Sequence, residues 1–577
     1  MAISLPNRAL ATGTRNRTPN DVVPASGMCT ICLDGCPGFC EIGKSAFRGP
    51  EVIYPTPFGR MTTAAQKEYP VEFHHFNLTG TITGPADPRF EKFTNVNLEA
   101  RLGRDKGLKL RVPIVCTGLG STNIAANHFE GVGSGAAISG AGVVIGENVA
   151  GMDVNSMFKD DKVTHCPELQ RRVNIFKEWQ QDGYGFFCVQ ANTEDFRLGV
   201  LEYAMNTLKA DAVEIKWGQG AKSIGGEVKI TDIEKARLLK RRGYIVIPDP
   251  DDAVTIESYQ KGAIRGFERH TRIGTISNVL SQAISDFKAQ VDRLRKAGAR
   301  YVFLKTGSYR PADLARALRF SSEAGIDVVT IDGSGGGTGM SPWRMMNEWG
   351  VPTVYLASLA RQYCEKLSKS GRYVPDIILA GGLTMEDHIF KAFALGSPYV
   401  KAVGMSRATI CAAMVGKTIS ESVAKGQVPK NAEEYGKTVE EIFYYSQTAK
   451  AQFSKNGKMV PISGLGVYSY YQRLATGLRQ LMAGARRCSM AEITRDDIFA
   501  LTREASEVSG IPYVMDYDAE IADKILSAEV RGKGAISKGV KPKAVSSKPK
   551  AVSSKRKAAS SKPKAVSSKR KAVRGRR

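Results

Sequence analysis

From Arg111 to Lys417 the chain repeats one unit: a short apolar run that ends on glycines or polar residues, then a stretch of helical spacing. The runs are Val112–Cys116, Phe186–Gln190, Ala212–Lys216, Tyr301–Lys305, Asp327–Ile331, Asp376–Ala380 and Tyr399–Val403. They are apolar along their whole length instead of alternating, which is the mark of parallel strands covered on both faces. An eighth strand is expected around Gly135–Ile138. Helical periodicity fills the intervals at Asn123–Glu130, Asp195–Lys209, Ile276–Ala297, Pro311–Ala324, Leu359–Ser370 and Met385–Leu395. Eight strands alternating with helices give an α/β fold, a (β/α)8 TIM barrel, whose site lies at the carboxyl ends of the strands.

The pattern breaks in four places. Trp217 to Arg300 is too long for one connection and should hold an insertion near the site, including the turn-rich Pro248–Asp252. Gly131 to Gly151 is rich in glycine and alanine, and suits a strand and loop packed close to a flat ligand. Its third glycine is misplaced for a dinucleotide fingerprint, so a Rossmann domain is rejected. Thr409 to about Ser527 is helical in pattern, with a loop near Ser454–Leu465. Ala46 to Arg111 is mixed. In it, Glu72–Leu78 reads as a strand-like segment, with His74 and His75 as polar edge residues or, less simply, ligands. The expected division is residues 1–105 as an N-terminal extension, 106–430 as the barrel, 431–530 as a helical region and 531–577 as a tail.

Composition changes the picture chiefly at that tail. The formal charge is +25, but residues 531–577 hold 18 Lys and Arg and no acid, so the folded body is only mildly basic. From Lys541 the sequence repeats every seven residues as Lys-Pro-Lys-Ala-Val-Ser-Ser and variants. The repeat lacks the second apolar position of a coiled-coil seam and cannot build a core, so it reads as a disordered polycation. Such a tail resembles those of linker histones and is expected to bind nucleic acid or another polyanion through its charge, more weakly as salt rises. No apolar run reaches the ~20 residues needed to cross a bilayer. The polar N-terminus lacks the apolar stretch of a signal peptide. A cytoplasmic protein with no membrane association is expected, its cysteines thiols or ligands and not disulfides.

Four of those cysteines fall close together as Cys29-x2-Cys32-x3-Cys36-x3-Cys40. Glycines and Pro37 let such a loop curl around one metal centre. An iron–sulfur cluster takes four thiolates in this way. Structural zinc prefers two separated pairs, and unligated redox thiols are the third reading.

The strand ends carry the candidate chemistry. Gly381-Gly382 follows one strand, and Gly404-Met-Ser-Arg407 the next. Glycine backbone at the last two strands of a barrel grips phosphate, and Arg407 adds a charge-assisted bond. Gly333 and Gly336, in the glycine run that ends at Gly339, let a third loop approach the same ligand. Thr117 and Gly118 end the first strand. Lys216, Gln219 and Lys222 follow another, and Lys305 ends a fifth. A lysine closing an apolar strand needs a partner or a purpose, whereas Lys222 also reads as a solvated residue.

Three of these stretches together resemble a known family. Glu214-Ile-Lys-Trp-Gly-Gln-Gly-Ala-Lys-Ser-Ile-Gly-Gly-Glu227, Asp332–Pro342 and Gly381-Gly-Leu383 with Gly404 are similar to the signatures of the FMN-binding synthase domain of glutamate synthase. The resemblance covers roughly Arg111 to Lys417. It implies FMN in a (β/α)8 barrel and reductive transfer of ammonia to 2-oxoglutarate through 2-iminoglutarate, giving glutamate. It implies Lys216, Gln219 and Lys222 at the flavin and substrate as catalytic residues, Lys305 facing the flavin ring, and the glycines of the last two strands on the phosphate.

The chain departs from that family's pattern in three ways. It begins Met1-Ala-Ile-Ser, not with the glutaminase domain's N-terminal cysteine. The region after the barrel offers only Cys411 for the family's 3Fe–4S loop. No nicotinamide-binding domain is evident. Ammonia and electrons are therefore expected from partner subunits or solution, with Cys29–Cys40 as a substitute electron entry. Two other readings stay open: an N-methylglutamate synthase type of subunit, using methylamine and glutamate, and a non-catalytic FMN- or polyanion-binding protein.

Overall fold

The computed structural model describes residues 8–9, 14–15, 41–54, 67–84, 87–105, 107–218, 220, 228–336, 341–454 and 458–528. Chain contacts divide it into one compact unit, Met1–Tyr517, and a second, Asp518–Arg577, whose described part is the helix Ala519–Ser527.

The large unit is built on a closed, all-parallel barrel whose strands follow one another in sequence order. They are β1 (Ile114–Leu119), β2 (Gly142–Ile145), β3 (Phe186–Ala191), β4 (Ala212–Lys216), β5 (Tyr301–Thr306), β6 (Val328–Asp332), β7 (Asp376–Ala380) and β8 (Val400–Gly404). The helices around them are α1 (Asn123–Ser139), α2 (Pro167–Trp179), α3 (Thr193–Arg197), α4 (Val200–Asn206), α5 (Leu280–Lys296), α6 (Pro311–Ala324), α7 (Thr353–Lys369), α8 (Glu386–Gly396) and α9 (Arg407–Ala424). A longer helix, α10 (Ile462–Gly484), packs on α1 and α9.

Strand alternation sorts the side chains into two cores. Val115, Val144, Phe186, Cys188, Ala212, Phe303, Val328, Ile378 and Ala402 point into the barrel. There they join the hairpin Ala100–Leu102 and Leu108–Leu110 in one apolar cluster. The residues between them, such as Val143, Val189, Val213, Leu304 and Val329, face the helices in the larger core. Period-two alternation therefore fixes which strand-end residues face the barrel axis.

The structure moves one expected strand. Gly135–Ile138 is not a strand but the last part of α1, which runs on to Ser139, and the barrel strand is Gly142–Ile145. The cause is helix packing. A Cβ on Gly131 would stand 2.6 Å from Ser463 Cβ, and one on Gly135 would stand 2.5 Å from the Gly464 carbonyl oxygen. These glycines let α1 lie against α10, which fills the space their missing side chains leave. A seam of small residues imitates a flexible loop in sequence because glycine is a poor helix former.

The interval after β4 does hold an insertion. Val228–Ile230, Ile245–Ile247 and Phe267–His270 form an antiparallel sheet with Phe267–His270 in the middle, backed by the helices Ile233–Arg241 and Ala253–Gln260. Its core is Val228, Ile230, Ala236, Leu239, Tyr244, Val246 and Phe267, joined by Met152. Of the strand-like segment Glu72–Leu78, only Phe76–Leu78 is a strand, pairing antiparallel with Ile498–Ala500. His75 Nδ1 accepts the Glu72 backbone N–H in the 3-10 turn before it. No described helix is long and apolar enough to cross a membrane.

Candidate active site

Most strands, though not β7, whose last inward residue is Ala380, end their inward parity on a polar residue or a glycine. On β3, β4, β5 and β6 these are Gln190, Lys216, Lys305 and Asp332, with Glu214 and Thr330 one layer below. On β1 and β8 they are Thr117 and Gly404, and Gly381 follows β7. Apolar layers close the barrel underneath, so these groups share one mouth.

One half of the mouth is charged. Lys216 and Lys305 lie opposite each other in the β4–β5 ladder. Two ammonium groups side by side repel, and each is matched by an acid on its far side. Lys216 Nζ donates to Glu147 Oε1 at 2.5 Å, and Lys305 Nζ lies 3.2 Å from Asp332 Oδ2. Burial works against the charge of Glu147, but the Lys216 ammonium more than reverses it and brings the carboxyl down to about 2. Burial also opposes the charge of Lys305, and the Asp332 and Glu214 carboxylates outweigh it, holding the ammonium above its ordinary range. Beneath the lysines, Glu214 is fully buried. Its Oε1 accepts from Gln190 Nε2 at 2.5 Å, and its Oε2 from Thr330 Oγ1 at 3.0 Å. Burial raises the Glu214 carboxyl, with Lys305 opposing. Gln190 is thereby held by its amide nitrogen, and its Oε1 is buried without a hydrogen-bond partner among the described residues.

The other half is backbone. Gly381 and Gly382 adopt φ of +123° and +93°. A Cβ on Gly381 would come within 2.4 Å of Thr353 Oγ1 and 2.8 Å of the Gly333 backbone nitrogen, so only glycine allows the β6 and β7 loops to close on each other. Gly333 N donates to the Ala380 carbonyl at 2.9 Å, and the Thr353 hydroxyl lies within 3.0 Å of both the Ser334 and Gly381 carbonyls. Arg407 Nη2 donates to the Gly335 carbonyl at 3.3 Å. Burial pulls its guanidinium below its usual range. On β1, Thr117 Oγ1 bonds Ser406 Oγ at 2.9 Å, joining the first and last strands. The Tyr69 hydroxyl bonds Ser334 Oγ at 2.7 Å, which ties the N-terminal segment to the same loop.

The barrel thus brings together Lys216, Lys305, Thr117, Gly118, Gly333, Gly336, Gly381, Gly382, Gly404 and Arg407, all singled out in the sequence. Gln219, Lys222 and the four cysteines Cys29, Cys32, Cys36 and Cys40 lie outside the described residues, as does the basic repeat. The six cysteines that are described are free thiols, and no cluster of three or more His, Cys, Asp or Glu among the described residues could hold a metal ion. Sequence reasoning missed Glu147, Gln190 and Glu214 as members of the site. Glu147 was hidden by the misplaced second strand. Glu214 did carry a signal, an acid of inward parity inside an otherwise apolar strand.

Three comparisons bear on this mouth. Residues 278–416 match the conserved region in glutamate synthase, a span that runs from α5 through β5–β8 into α9. It includes Lys305, the glycine turns and Arg407, and it leaves out Lys216. The archaeal glutamate synthase [NADPH] of Methanocaldococcus jannaschii is 31% identical over 210 residues, 35% of this chain and 35% of that one. A glutamate synthase large subunit-like protein of Rhizobium meliloti is 26% identical over 312 residues, 54% of this chain and 58% of the relative. The chain spans between a third and three-fifths of the length of such curated relatives. Among solved structures, the recombinant flavin-binding domain of baker's yeast flavocytochrome b2 aligns over 82% of this chain and 84% of its own, with a TM-score of 0.42 and 13% identity. The chain carries the conserved region of the glutamate synthases within a (β/α)8 barrel.

Proposed function

We propose that the chain is an FMN-dependent oxidoreductase of glutamate synthase type. It makes glutamate by reductive amination of 2-oxoglutarate through 2-iminoglutarate, with ammonia and electrons from partner subunits. The observation that carries the reading is the division of the barrel mouth. A pair of lysines, Lys305 buried and Lys216 half-buried, faces a set of side-chain-free strand ends, which suits one flat anionic cofactor and one small dicarboxylate.

The residues fit FMN. A Cβ on Gly118 would stand 3.5 Å from both Lys305 Nζ and Gln190 Oε1, in ordinary contact with them, so glycine at this position, at φ +62°, leaves that space to a ligand. The unpartnered Gln190 Oε1 is an acceptor waiting for an N–H donor. Lys305, Gln190 and Gly118 would hold the ring. The backbone at Gly381, Gly382 and Gly404, with Arg407, would hold the phosphate. FMN bound here supplies the reducing equivalents.

The chain's own part is binding and proton control. The Lys216 ammonium can take up a substrate carboxylate, since a compact cation on a flexible stem can turn from Glu147 to an incoming anion. Glu147, kept ionised, fixes that ammonium before substrate arrives. Lys305, kept charged by Asp332 and Glu214, stabilises negative charge that develops above it. An iron–sulfur centre at Cys29, Cys32, Cys36 and Cys40 is proposed from their spacing, and iron and acid-labile sulfide analysis tests it.

The decisive experiment is the absorbance spectrum of protein purified without oxygen, before and after acid precipitation. A two-band flavin spectrum with FMN released to the supernatant is expected, followed by 2-oxoglutarate- and ammonia-dependent reoxidation of the chemically reduced protein. A colourless protein that FMN does not reconstitute would overturn the reading. Release of ammonia and formation of N-methylglutamate from glutamate and methylamine, with no net change in flavin oxidation state, would redirect it to the N-methylglutamate reaction.

A further inference from the structure

Asp195 sits in the short helix α3, behind the mouth and fully buried. Its Oδ2 accepts two backbone N–H groups, from Asn148 at 2.8 Å and from Asn192 at 3.3 Å. Asn148 directly follows Glu147, and Asn192 lies two residues beyond Gln190. One carboxylate oxygen therefore ties the β2 loop to the β3 loop. The tie is doubled by Asn192 Nδ2, which donates to Asn148 Oδ1 at 3.2 Å, while Asn192 Oδ1 accepts the α3 amides of Glu194 and Asp195 at 3.0 and 3.1 Å. Asn148 is at φ +65°, a left-handed conformation that asparagine adopts more readily than most residues with a side chain. The preceding residue of α3, Glu194, is also buried and takes both the backbone N–H and the guanidinium of Arg272, so the same helix fixes the chain leaving the insertion.

Resting on the reading above, we propose that Asp195 is the positioning residue that sets the Glu147–Lys216 pair against the Gln190 amide. It touches neither substrate nor cofactor. Its role is to satisfy one buried and one half-buried amide at one point, so that the carboxylate on one loop and the carboxamide on the other keep a fixed separation across the mouth. Without it, both N–H groups lose their acceptor, that of Asn148 in a buried setting, and the loops shift to find others. A displacement of about 1 Å at a reacting centre costs on the order of 10²-fold in rate.

The test uses the full chain with FMN bound and two readouts, amide hydrogen exchange and steady-state kinetics. Asp195→Ala is expected to speed exchange at Asn148 and Asn192 by about tenfold or more, and to lower kcat by about 10- to 100-fold with FMN content unchanged. Asp195→Asn keeps an oxygen acceptor for the same two amides and is expected to restore both. Unchanged exchange and kcat in Asp195→Ala would overturn the proposal, as would an Asp195→Asn protein that behaves like the alanine variant. If Asp195→Ala does not fold, the wild-type protein still decides: fast exchange at Asn148 and Asn192 would overturn the proposal, and slow exchange with rescue by asparagine would uphold it. Failure of the functional reading is separate, because a wild-type protein without flavin or turnover leaves the exchange result standing.

Discussion

The two halves of the barrel mouth are made by opposite means. From β2 to β6 the site is built of charged and amide side chains: Glu147, Gln190, Glu214, Lys216, Lys305 and Asp332. From β6 round to β1 it is built by removing side chains, at Gly381, Gly382, Gly404 and Gly118. The charged half is costly to bury and is stable only because each cation has a matched acid. The glycine half depends chiefly on backbone approach, with the Arg407 guanidinium beside it. On the proposed function, the contrast separates two tasks: holding an anionic group through N–H donors, and managing charge and protons at the reacting centre.

The sharpest way to break the comparison is to unbalance the charged half. Lys305→Ala leaves Glu214 and Asp332 buried without their cation, and is expected to cost about 3–5 kcal/mol in urea unfolding as well as flavin affinity. A loss below about 1 kcal/mol would show that the lysine is not needed to balance the acids. Next comes the glycine half. Gly381→Ala forces a Cβ into Thr353 and Gly333 at positive φ, costing about 1–3 kcal/mol from backbone strain alone, and the protein should purify with little FMN. Full flavin occupancy in that variant would remove the β7 turn from the phosphate site.

Lys216→Ala should separate the two tasks: FMN stays bound, while kcat/KM for 2-oxoglutarate falls by roughly 10²-fold. Unchanged kinetics would take Lys216 out of the site.

A smaller effect concerns pH. Burial pushes the Asp195 carboxyl up to about 7, with Glu147 adding to the shift and the two backbone N–H bonds and Arg269 opposing. A raised carboxyl pKa favours the folded state fully below the ordinary carboxylate value, and that contribution is lost as pH climbs to and through 7. The melting temperature of the wild type should therefore fall more steeply between pH 5 and pH 8 than that of Asp195→Asn. Parallel curves would contradict this. The smallest effect on turnover is expected from truncation at residue 531. Rates should be unchanged, while retention on a polyanion column, steeply salt-dependent in the full chain, is lost.

Much of the architecture was legible in the sequence, because buried parallel strands write themselves as unbroken apolar runs. Seven of the eight strands stand where those runs predict them. The exception, at Gly135–Ile138, misread a glycine seam of helix α1 as a loop and strand. Whether such a glycine spares a side chain for a ligand or for a neighbouring helix depends on what lies opposite, here Ser463, Gly464 and Val467 of α10. That partner is more than three hundred residues away, and no local pattern points to it.

The candidate site divides along the same line. Local sequence was enough to mark Lys216, Lys305 and the glycine turns, since a charge or a glycine pair at the end of an apolar strand stands out from its neighbours. It could not supply the partners. Glu147 meets Lys216 across 69 positions, Glu214 meets Thr330 across 116, and Asp195 reaches Asn148 across 47. Strand alternation, written in the chain, determined which side chains face the barrel axis. Closure of the barrel, a tertiary event, decided which of them became neighbours and so which charges are balanced.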